Sequence, residues 1–184
     1  LSGYDVKKLE ELKVIINEHL KKYIYDNGYK NIENIVIDNL HKENLTLSTA
    51  ESCTGGLIGH RLTQVSGSSA VYAGGVISYS NESKIDQLNV DPDNIKNFGA
   101  VSEQVAIEMA QNIKEKFNSS IGVSVTGIAG PDGGSEAKPV GLVYVGYCDE
   151  KLSFVQKFNF SSNREANKIR TSQAVLKLIL SNNN

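Results

Sequence analysis

A serine and a lysine in two separate segments of the sequence could form a hydrolytic pair. Ser52 lies within Thr49–Gly56, of sequence TAESCTGG, where a predicted strand passes into a predicted helix. Lys84 lies in a second such segment, shortly after Tyr79. An amine that is partly removed from water can have a pKa low enough to accept the proton of a serine hydroxyl. These residue types therefore predict nucleophilic attack on a carbonyl group, with helix-start N–H groups stabilising the oxyanion.

Each of these residues also has a purely structural interpretation. Serine and threonine are common helix caps, so Ser52 or Thr54 could simply begin the helix that follows the strand. A single lysine such as Lys84 is usually solvated, and Tyr79 alone would more often be a half-buried strand residue. Cys53 is a second candidate nucleophile, because the N-terminus of a helix can depress the pKa of a thiol. The residue types alone therefore leave the chemistry open.

Glycine-rich and hydroxyl-rich segments accompany the predicted strands. The loop Gly127–Pro139 follows a buried strand, and Ser66–Ser69 forms a short turn. Backbone N–H groups in such turns can hold a phosphate, and the longer segment is long enough to act as a lid. The loop matches neither the Walker pattern nor the dinucleotide fingerprint. The structural alternatives are a mobile connector for the loop and a helix end for the turn.

The composition excludes several classes of protein. The 184 residues include 19 Lys+Arg and 21 Asp+Glu, a formal charge of -2, which gives no electrostatic reason for general nucleic-acid binding. Two cysteines and three scattered histidines do not make a disulfide scaffold or a metal site. No apolar run approaches the ~20 residues that span a bilayer. We therefore predict a cytoplasmic protein that needs no metal or other cofactor and contacts neither nucleic acid nor membrane.

The elements that must position these residues alternate along the chain. Strands are predicted at 45–49, 70–79, 121–126, 140–148 and 151–160. Helices are predicted at 6–20, 31–40, 57–64, 81–88 and 102–117, and from 163 towards the end. This order predicts an α/β fold of three layers, α/β/α, with a mixed, mainly parallel sheet of about five strands. Ligands bind such sheets where strands end and helices begin.

Six blocks of sequence occur in an order typical of one family. They are TAESCTGG (Thr49–Gly56), GSS (Gly67–Ser69), SYSNESK (Ser78–Lys84), GAVS (Gly99–Ser102), SVTGIAGPDGG (Ser124–Gly134) and KPVG (Lys138–Gly141). On these blocks, the chain from about Asn44 to Leu180 resembles the CinA C-terminal domain family, whose members include nicotinamide mononucleotide deamidases. The resemblance implies an amidohydrolase of pyridine nucleotide salvage, which converts nicotinamide mononucleotide and water to nicotinic acid mononucleotide and ammonia.

The resemblance also implies roles for individual residues. Ser52 matches the family's proposed nucleophile, and Tyr79 and Lys84 match the groups proposed to activate it. In this mechanism Lys84 takes the serine proton, either directly or through Tyr79. The predicted oxyanion donors are the backbone N–H groups of Cys53, Thr54 and Gly55.

Substrate binding is predicted at positions that match the other blocks. The predicted substrate-binding residues are Glu51, Ser68, Ser69, Thr126, Gly127, Arg164 and Arg170. The phosphate is expected among the serines of the turn, the Thr126-Gly127 pair and one of the two arginines. Before the last helix this chain has Ser-Ser-Asn-Arg at 161–164, where the family usually has Gly-Asp-Arg or Gly-Asn-Arg.

Two domain-level predictions complete the resemblance. Residues 1–30 are predicted to be the remnant of a preceding or linker domain, a helix followed by a short strand at 23–25, and residues 31–184 the CinA-like amidohydrolase domain. We expect a homo-oligomer, most simply a dimer.

The alternative function is a non-catalytic module that binds a nucleotide or a partner within a competence-associated CinA protein. Convergence of Ser52, Tyr79 and Lys84 on one pocket is the feature that favours the enzyme.

Overall fold

A computed structural model describes residues 5–20 and 30–182 of the chain. The helices are α1 Val6–Leu20, α2 Ile32–Glu43, α3 Leu57–Thr63, α4 Asn81–Leu88, α5 Pro92–Phe98, α6 Glu103–Phe117 and α7 Arg164–Asn182. The strands are β1 Leu47–Glu51, β2 Tyr72–Ile77, β3 Ile121–Gly127, β4 Leu142–Cys148 and β5 Ser153–Asn159. A 3₁₀ turn at Ser68–Ala70 precedes β2.

The five strands form one mixed sheet in the order β2-β1-β3-β4-β5. β1 pairs in parallel with β2 and β3, whereas β4 is antiparallel to both β3 and β5. Four strands therefore run in one direction and β4 alone opposes them, which confirms the predicted sheet. Glu51 at the end of β1 is level with Ile77 of β2 and Val125 of β3. The carboxyl ends of these three strands thus lie at the same edge of the sheet.

Helices cover both faces of the sheet and confirm the predicted three layers. On one face, α2, α3 and α7 pack against one another around a core that includes Val123 and Val125 of β3. On the other face, α6 contacts all five strands and is flanked by α4 and α5. The alternation of side chains along each strand separates the two cores, since Ala50 of β1 packs with Val105 and Met109 on the α6 face.

Two glycines allow α6 to lie unusually close to the middle of the sheet. A Cβ atom on Gly122 of β3 would lie 2.1 Å from the carbonyl oxygen of Ala110, and one on Gly146 of β4 would lie 2.4 Å from that of Ala106. Between them, Ser124 donates a hydrogen bond of 2.5 Å to the same Ala106 carbonyl. The approach of helix to sheet therefore depends on the absence of side chains at these positions.

The structure places four strand starts, those of β1, β2, β4 and β5, two residues later than the sequence predicts. Asn44 adopts the left-handed conformation that ends α2, and the N–H of Leu45 donates to the carbonyl of Leu40. Leu45 therefore belongs to the helix end, and β1 starts at Leu47 and includes Glu51. The 3₁₀ turn likewise takes Ala70, the first residue of the predicted 70–79 strand, and β2 starts at Tyr72.

The N-terminal helix α1 matches its predicted bounds and buries none of its residues. The predicted strand at 23–25 lies outside the described residues. Within the part of the chain that the structure describes, no helix is both long and apolar enough to cross a membrane. Assignment of residues 1–30 to a preceding domain remains a prediction.

The contact between α6 and the sheet can be tested by adding one methyl group. We expect Gly122→Ala to lower the free energy of unfolding by about 2 kcal/mol or more, because the new Cβ forces α6 away from β3. Ala137→Ser, which adds one heavy atom to an exposed alanine, should change it by less than about 0.5 kcal/mol. Urea unfolding followed by circular dichroism measures both, and equal stabilities would show that α6 adjusts freely.

Candidate active site

Ser52 is the first residue after β1 and is fixed by both neighbouring strands. Its own N–H donates to the carbonyl of Val125 at the end of β3, 3.0 Å away. The carbonyl of the preceding Glu51 accepts from the N–H of Ser78, just after β2, at 2.8 Å. The backbone at the nucleophile position is therefore held on two sides by main-chain hydrogen bonds.

Lys84 reaches Ser52 from α4. Ser80 caps this helix, because its side chain accepts from the N–H of Ser83 while the Ser83 hydroxyl accepts from the N–H of Ser80. The cap fixes the first turn, and Lys84 follows in it with only 1% of its surface exposed. Its Nζ lies 3.0 Å from Ser52 Oγ and 2.7 Å from the carbonyl oxygen of Ser78. The structure thus brings together two residues that are separated by 32 positions.

Burial changes the acidity of this lysine. Removal from water lowers the pKa of Lys84 from 10.5 to about 8. Within residues 5–20 and 30–182, the ion pairs involve other lysines and an arginine, and none joins Lys84 to a carboxylate. With a pKa of about 8, roughly a tenth of the amine is neutral at pH 7 and about half at pH 8. A neutral amine in contact with a hydroxyl can act as its general base.

The structure corrects the prediction that Glu51 binds substrate. Its buried carboxylate lies on the opposite face of β1 from Ser52 and is occupied by the chain itself. One oxygen accepts from Thr54 Oγ1 at 2.6 Å and from the N–H groups of Gly56 and Ile58 at 3.0 and 3.1 Å. The other accepts from the N–H of Gly59 at 2.8 Å. Glu51 therefore caps α3 and holds the turn after the nucleophile.

This arrangement narrows the predicted set of oxyanion donors. The N–H of Gly55 donates to the carbonyl of Ser52 at 3.0 Å, so Gly55 is corrected from oxyanion donor to turn residue. The N–H groups of Cys53 and Thr54 have no oxygen acceptor among the described residues. These two groups, directly after Ser52, are the ones left to stabilise an oxyanion.

The side chain of Cys53 faces away from this chemistry. It is buried in the apolar core beneath α2, α3 and α7. Burial raises the pKa of its thiol to about 12, so the thiol stays neutral at physiological pH. The geometry thus argues against Cys53 as the nucleophile and leaves Ser52 as the candidate.

Ser52 and Lys84 line a pocket of about 270 Å³ at the carboxyl ends of the strands. Two other depressions, of about 580 and 500 Å³, are larger, but neither is lined by Ser52 or Lys84. The other residues that line the active-site pocket are Cys53, Tyr79, Asn81, Ala100, Val101, Thr126, Gly127, Ile128, Ala129, Gly130, Asp132, Gly133 and Arg164. Three strand ends, two connecting segments, α4 and the start of α7 therefore contribute to one cavity.

Tyr79 and Arg164 meet at the rim of this pocket. Arg164 Nη2 donates to Tyr79 Oη at 2.7 Å, and Nη1 donates to the carbonyl of Gly130 at 2.8 Å. Tyr79 is 59% exposed. Because Lys84 contacts Ser52 directly, the structure corrects the alternative in which Tyr79 relays the proton. Tyr79 instead supports the arginine across the pocket mouth.

Thr126 and Gly127, both predicted to bind substrate, line the pocket. The hydroxyl of Thr126, however, is already hydrogen bonded within the protein. It donates to the carbonyl of Ala100 at 2.7 Å, so its proton is not available to a phosphate. We therefore correct Thr126 from phosphate ligand to a residue that fixes the turn between α5 and α6. Gly127, the last residue of β3, retains its place in the wall.

Three further predicted ligands lie away from the pocket. Ser68 and Ser69 form the 3₁₀ turn before β2, at the opposite end of the sheet from Ser52. Arg170 is exposed and does not line the pocket. It lies six residues after Arg164 on α7, and at 100° per residue the two side chains leave the helix in different directions. The structure corrects all three predictions.

Some residues at the site were not among the predicted ligands. Lys168 shares the face of α7 that carries Arg164, and its Nζ lies 3.7 Å from where a Cβ of Gly55 would be. The spacing of four residues was a usable signal for it. Asp132 lies in the wall and Lys138 behind it; both belong to blocks that carry the family resemblance. Across the described residues, no three His, Cys, Asp or Glu side chains are grouped so that they could hold a metal ion.

Comparison with known families decides what kind of domain carries this site. A family model described as the CinA C-terminal domain matches residues 29–182. The chain belongs to the CinA C-terminal domain family. The match covers the sheet, both helical layers and every residue of the pocket.

Relatives of known sequence agree with this assignment. A CinA-like protein of Kosmotoga olearia is 47% identical over 163 residues, which cover 89% of this chain and 39% of that protein. A CinA-like protein of Cytophaga hutchinsonii is 43% identical over 178 residues, covering 93% of this chain and 43% of the relative. The chain therefore spans about two fifths of the length of these curated relatives.

Solved structures in the CinA family share the fold. A competence/damage inducible protein from Agrobacterium tumefaciens superposes with a TM-score of 0.80 at 34% identity. The superposition covers 86% of this chain and 100% of that protein. A competence or damage-inducible protein from Enterobacter asburiae gives 0.80 at 27% identity, covering 84% and 99%. The α/β/α architecture is therefore that of the CinA family.

The neutral, buried state of Cys53 predicts that thiol chemistry is not needed at this CinA-family site. We expect Cys53→Ala to fold normally, since the side chain only fills a core position. We also expect Cys53 in the folded protein to resist iodoacetamide at pH 8, with Cys148 as the internal comparison because it is less buried. Mass spectrometry of tryptic peptides measures both sites, and labelling of Cys53 as fast as that of Cys148 would contradict its burial.

Proposed function

We propose that this chain is an amidohydrolase that converts nicotinamide mononucleotide to nicotinic acid mononucleotide and ammonia. The observation that carries the proposal is the contact of 3.0 Å between Lys84 Nζ and Ser52 Oγ at the wall of the pocket. A structural serine cap does not require a buried amine beside it. A lysine with a pKa lowered to about 8 by burial has the property that a general base needs at neutral pH.

The first half of the proposed reaction forms an ester on Ser52. Its Oγ attacks the carbonyl carbon of the carboxamide while its proton passes to the neutral amine of Lys84. The oxygen of the tetrahedral intermediate takes the negative charge and is stabilised by the N–H groups of Cys53 and Thr54. The carbon–nitrogen bond then breaks as the Lys84 ammonium returns the proton to the leaving nitrogen, and ammonia is released.

Water completes the reaction at the same two residues. A water molecule attacks the ester carbon and gives one proton to Lys84, which passes it to the departing Oγ of Ser52. The product leaves as a carboxylic acid that ionises in solvent. Lys84 ends each turnover in the neutral form in which it began, so the cycle is balanced without a cofactor.

The rim of the pocket supplies the support for an anionic nucleotide. Arg164 lies there with its guanidinium between Tyr79 and Gly130, and Lys168 follows one turn later on α7. We place the nicotinamide end of the substrate at Ser52 and its phosphate towards these cations. Arg164 takes this role in preference to Arg170, since only Arg164 lines the pocket.

The cellular setting is part of the proposal. We propose a cytoplasmic enzyme of pyridine nucleotide salvage that acts as a homo-oligomer, most simply a dimer. The alternative, a non-catalytic nucleotide-binding module of a competence-associated protein, shares the pocket but does not need the pairing of Ser52 with a neutral amine. Sedimentation velocity addresses the oligomeric state, and turnover separates the two functions.

Removal of the nucleophile is the direct test. We expect Ser52→Ala to lower ammonia release from nicotinamide mononucleotide by roughly a thousandfold or more, with binding of the nucleotide retained by calorimetry. Ser69→Ala is the matched control, because Ser69 is exposed and lies at the other end of the sheet, and it should keep full activity. Binding by the unmodified protein without turnover would favour the non-catalytic module. Full activity in Ser52→Ala would remove Ser52 from the mechanism.

The lowered pKa of Lys84 predicts a rising pH profile. The ammonium form cannot accept a proton, so kcat should rise by about tenfold per pH unit well below the pKa and level off above about 8. Steady-state ammonia release between pH 6 and 9.5 measures this. Tyr79→Phe should leave the midpoint in place, because Lys84 contacts Ser52 directly. A midpoint that disappears in Tyr79→Phe would assign the titration to the phenol instead.

A further inference from the structure

Lys138 belongs to the KPVG block and is not explained by the proposed chemistry. It lies in the loop between β3 and β4, at residues 128–141, and is half buried. The side chain does not line the pocket but reaches the turn between α5 and α6, at residues 98–101. Its ammonium donates to two carbonyl oxygens there, Phe98 O at 2.6 Å and Val101 O at 2.7 Å.

Every carbonyl of this four-residue turn accepts a hydrogen bond from a side chain. Lys138 occupies the first and the last, while Ser102 Oγ donates to Gly99 O at 2.8 Å and Thr126 Oγ1 donates to Ala100 O at 2.7 Å. Phe98 is the last residue of α5, so one of these carbonyls is a helix-end group that needs an external donor. A cation at that end is also favoured by the helix dipole.

Gly99 lies directly beneath the ammonium group of Lys138. Gly99 has a positive φ of 77°, which favours glycine, and a Cβ at this position would lie 2.9 Å from Lys138 Nζ. The blocks GAVS and KPVG, separated by almost forty residues in sequence, therefore meet at a single ammonium group.

The two segments that Lys138 joins are two walls of the active-site pocket. Ala100 and Val101 come from the turn, and Ile128, Ala129 and Gly130 come from the loop. The start of the loop is held separately by α7, where Arg164 donates to Gly130 O and Asn167 donates to Ala129 O. Towards the 98–101 turn, the side-chain hydrogen bonds that link the loop are those of Lys138.

We propose that Lys138 is a positioning residue that locks these two walls together and thereby sets the affinity of the pocket for its nucleotide. The reacting pair does not depend on this lock, because Ser52 is held by β1 and its neighbours and Lys84 by α4. Loss of the lock therefore weakens binding while the chemical step at saturation is preserved. The effect on catalysis rests on the proposed function, whereas the lock itself does not.

The kinetic test compares Lys138→Met with Lys138→Arg and Lys96→Met. Lys138→Met should raise KM by roughly tenfold with kcat within about threefold, as expected for losing charge-assisted hydrogen bonds that order the walls. Lys138→Arg should recover most of the affinity, since a guanidinium can donate to both carbonyls. Lys96→Met removes the same charge from an exposed position on α5 and should leave both constants unchanged. A fall in kcat with unchanged KM would overturn the proposal.

A second measurement decides the lock without any turnover. The N–H groups of Lys138 and Gly141 are hydrogen bonded within the loop, and that of Gly99 in the turn donates to the carbonyl of Ile95 in α5. Their hydrogen exchange should be faster in Lys138→Met, by roughly tenfold, and unchanged in Lys96→Met. Unchanged exchange in Lys138→Met would overturn the lock. If the unmodified protein releases no ammonia, the proposed function fails, and the exchange data together with calorimetric binding of nicotinic acid mononucleotide still decide the role of Lys138.

Discussion

The structure depends on a lysine that is buried without a carboxylate beside it. Lys84 is 1% exposed, and the oxygens that contact its Nζ are a hydroxyl and a carbonyl. An ammonium in such a place loses most of its hydration and gains no counterion, so the neutral amine is favoured and the pKa of Lys84 falls. An aspartate or glutamate beside Lys84 would raise the pKa of the amine again. Lys84 would then stay an ammonium and could not act as a base. The arrangement therefore constrains which side chains can surround it.

That constraint explains the placement of the nearest acidic residue. Glu51 precedes Ser52 directly, yet the alternation of side chains along β1 sends its carboxylate to the opposite face of the sheet. There it accepts four hydrogen bonds from the turn and the start of α3. The same residue consumes the helix-start N–H groups, which leaves Cys53 and Thr54 as oxyanion donors. The alternation along β1 thus keeps the Glu51 carboxylate on the opposite face from the Ser52 hydroxyl that contacts Lys84.

The sequence was sufficient for the fold class, and it named Ser52 and Lys84, which the structure brings into contact. Strand and helix periodicity, together with the late hairpin, predicted three layers and a mixed five-stranded sheet, because each element carries its own apolar pattern. Ser52 and Lys84 could be named because each lies where a strand passes into a helix, and such ends share one edge of a parallel sheet. The bounds of β1 could not be predicted, since the cap at Asn44 takes Leu45 into the end of α2.

The ligand-binding part was less predictable because it depends on where side chains point. Ser68 and Ser69 have suitable hydroxyls, but the turn that carries them lies at the wrong end of β2. Arg170 has the right charge but leaves α7 in a different direction from Arg164. Lys138 carries no local pattern that reveals its partners, because they are backbone carbonyls about forty residues away in the sequence. Distances of this kind are set by the tertiary fold and have no local sequence signal.

Under the proposed function, the contrast between a well-held Ser52–Lys84 pair and a pocket wall made of loops separates catalysis from recognition. Ser52 and Lys84 are held by strand pairing and a capped helix, whereas the pocket wall consists of the 98–101 turn, the 128–141 loop and the start of α7. Substitutions in the loops can therefore change which ligand binds without moving Ser52. Equally, replacement of Ser52 or Lys84 alone would leave a binding pocket without chemistry. Membership in the CinA family fixes the scaffold, and the identity of these two side chains is what favours an enzyme over a binding module.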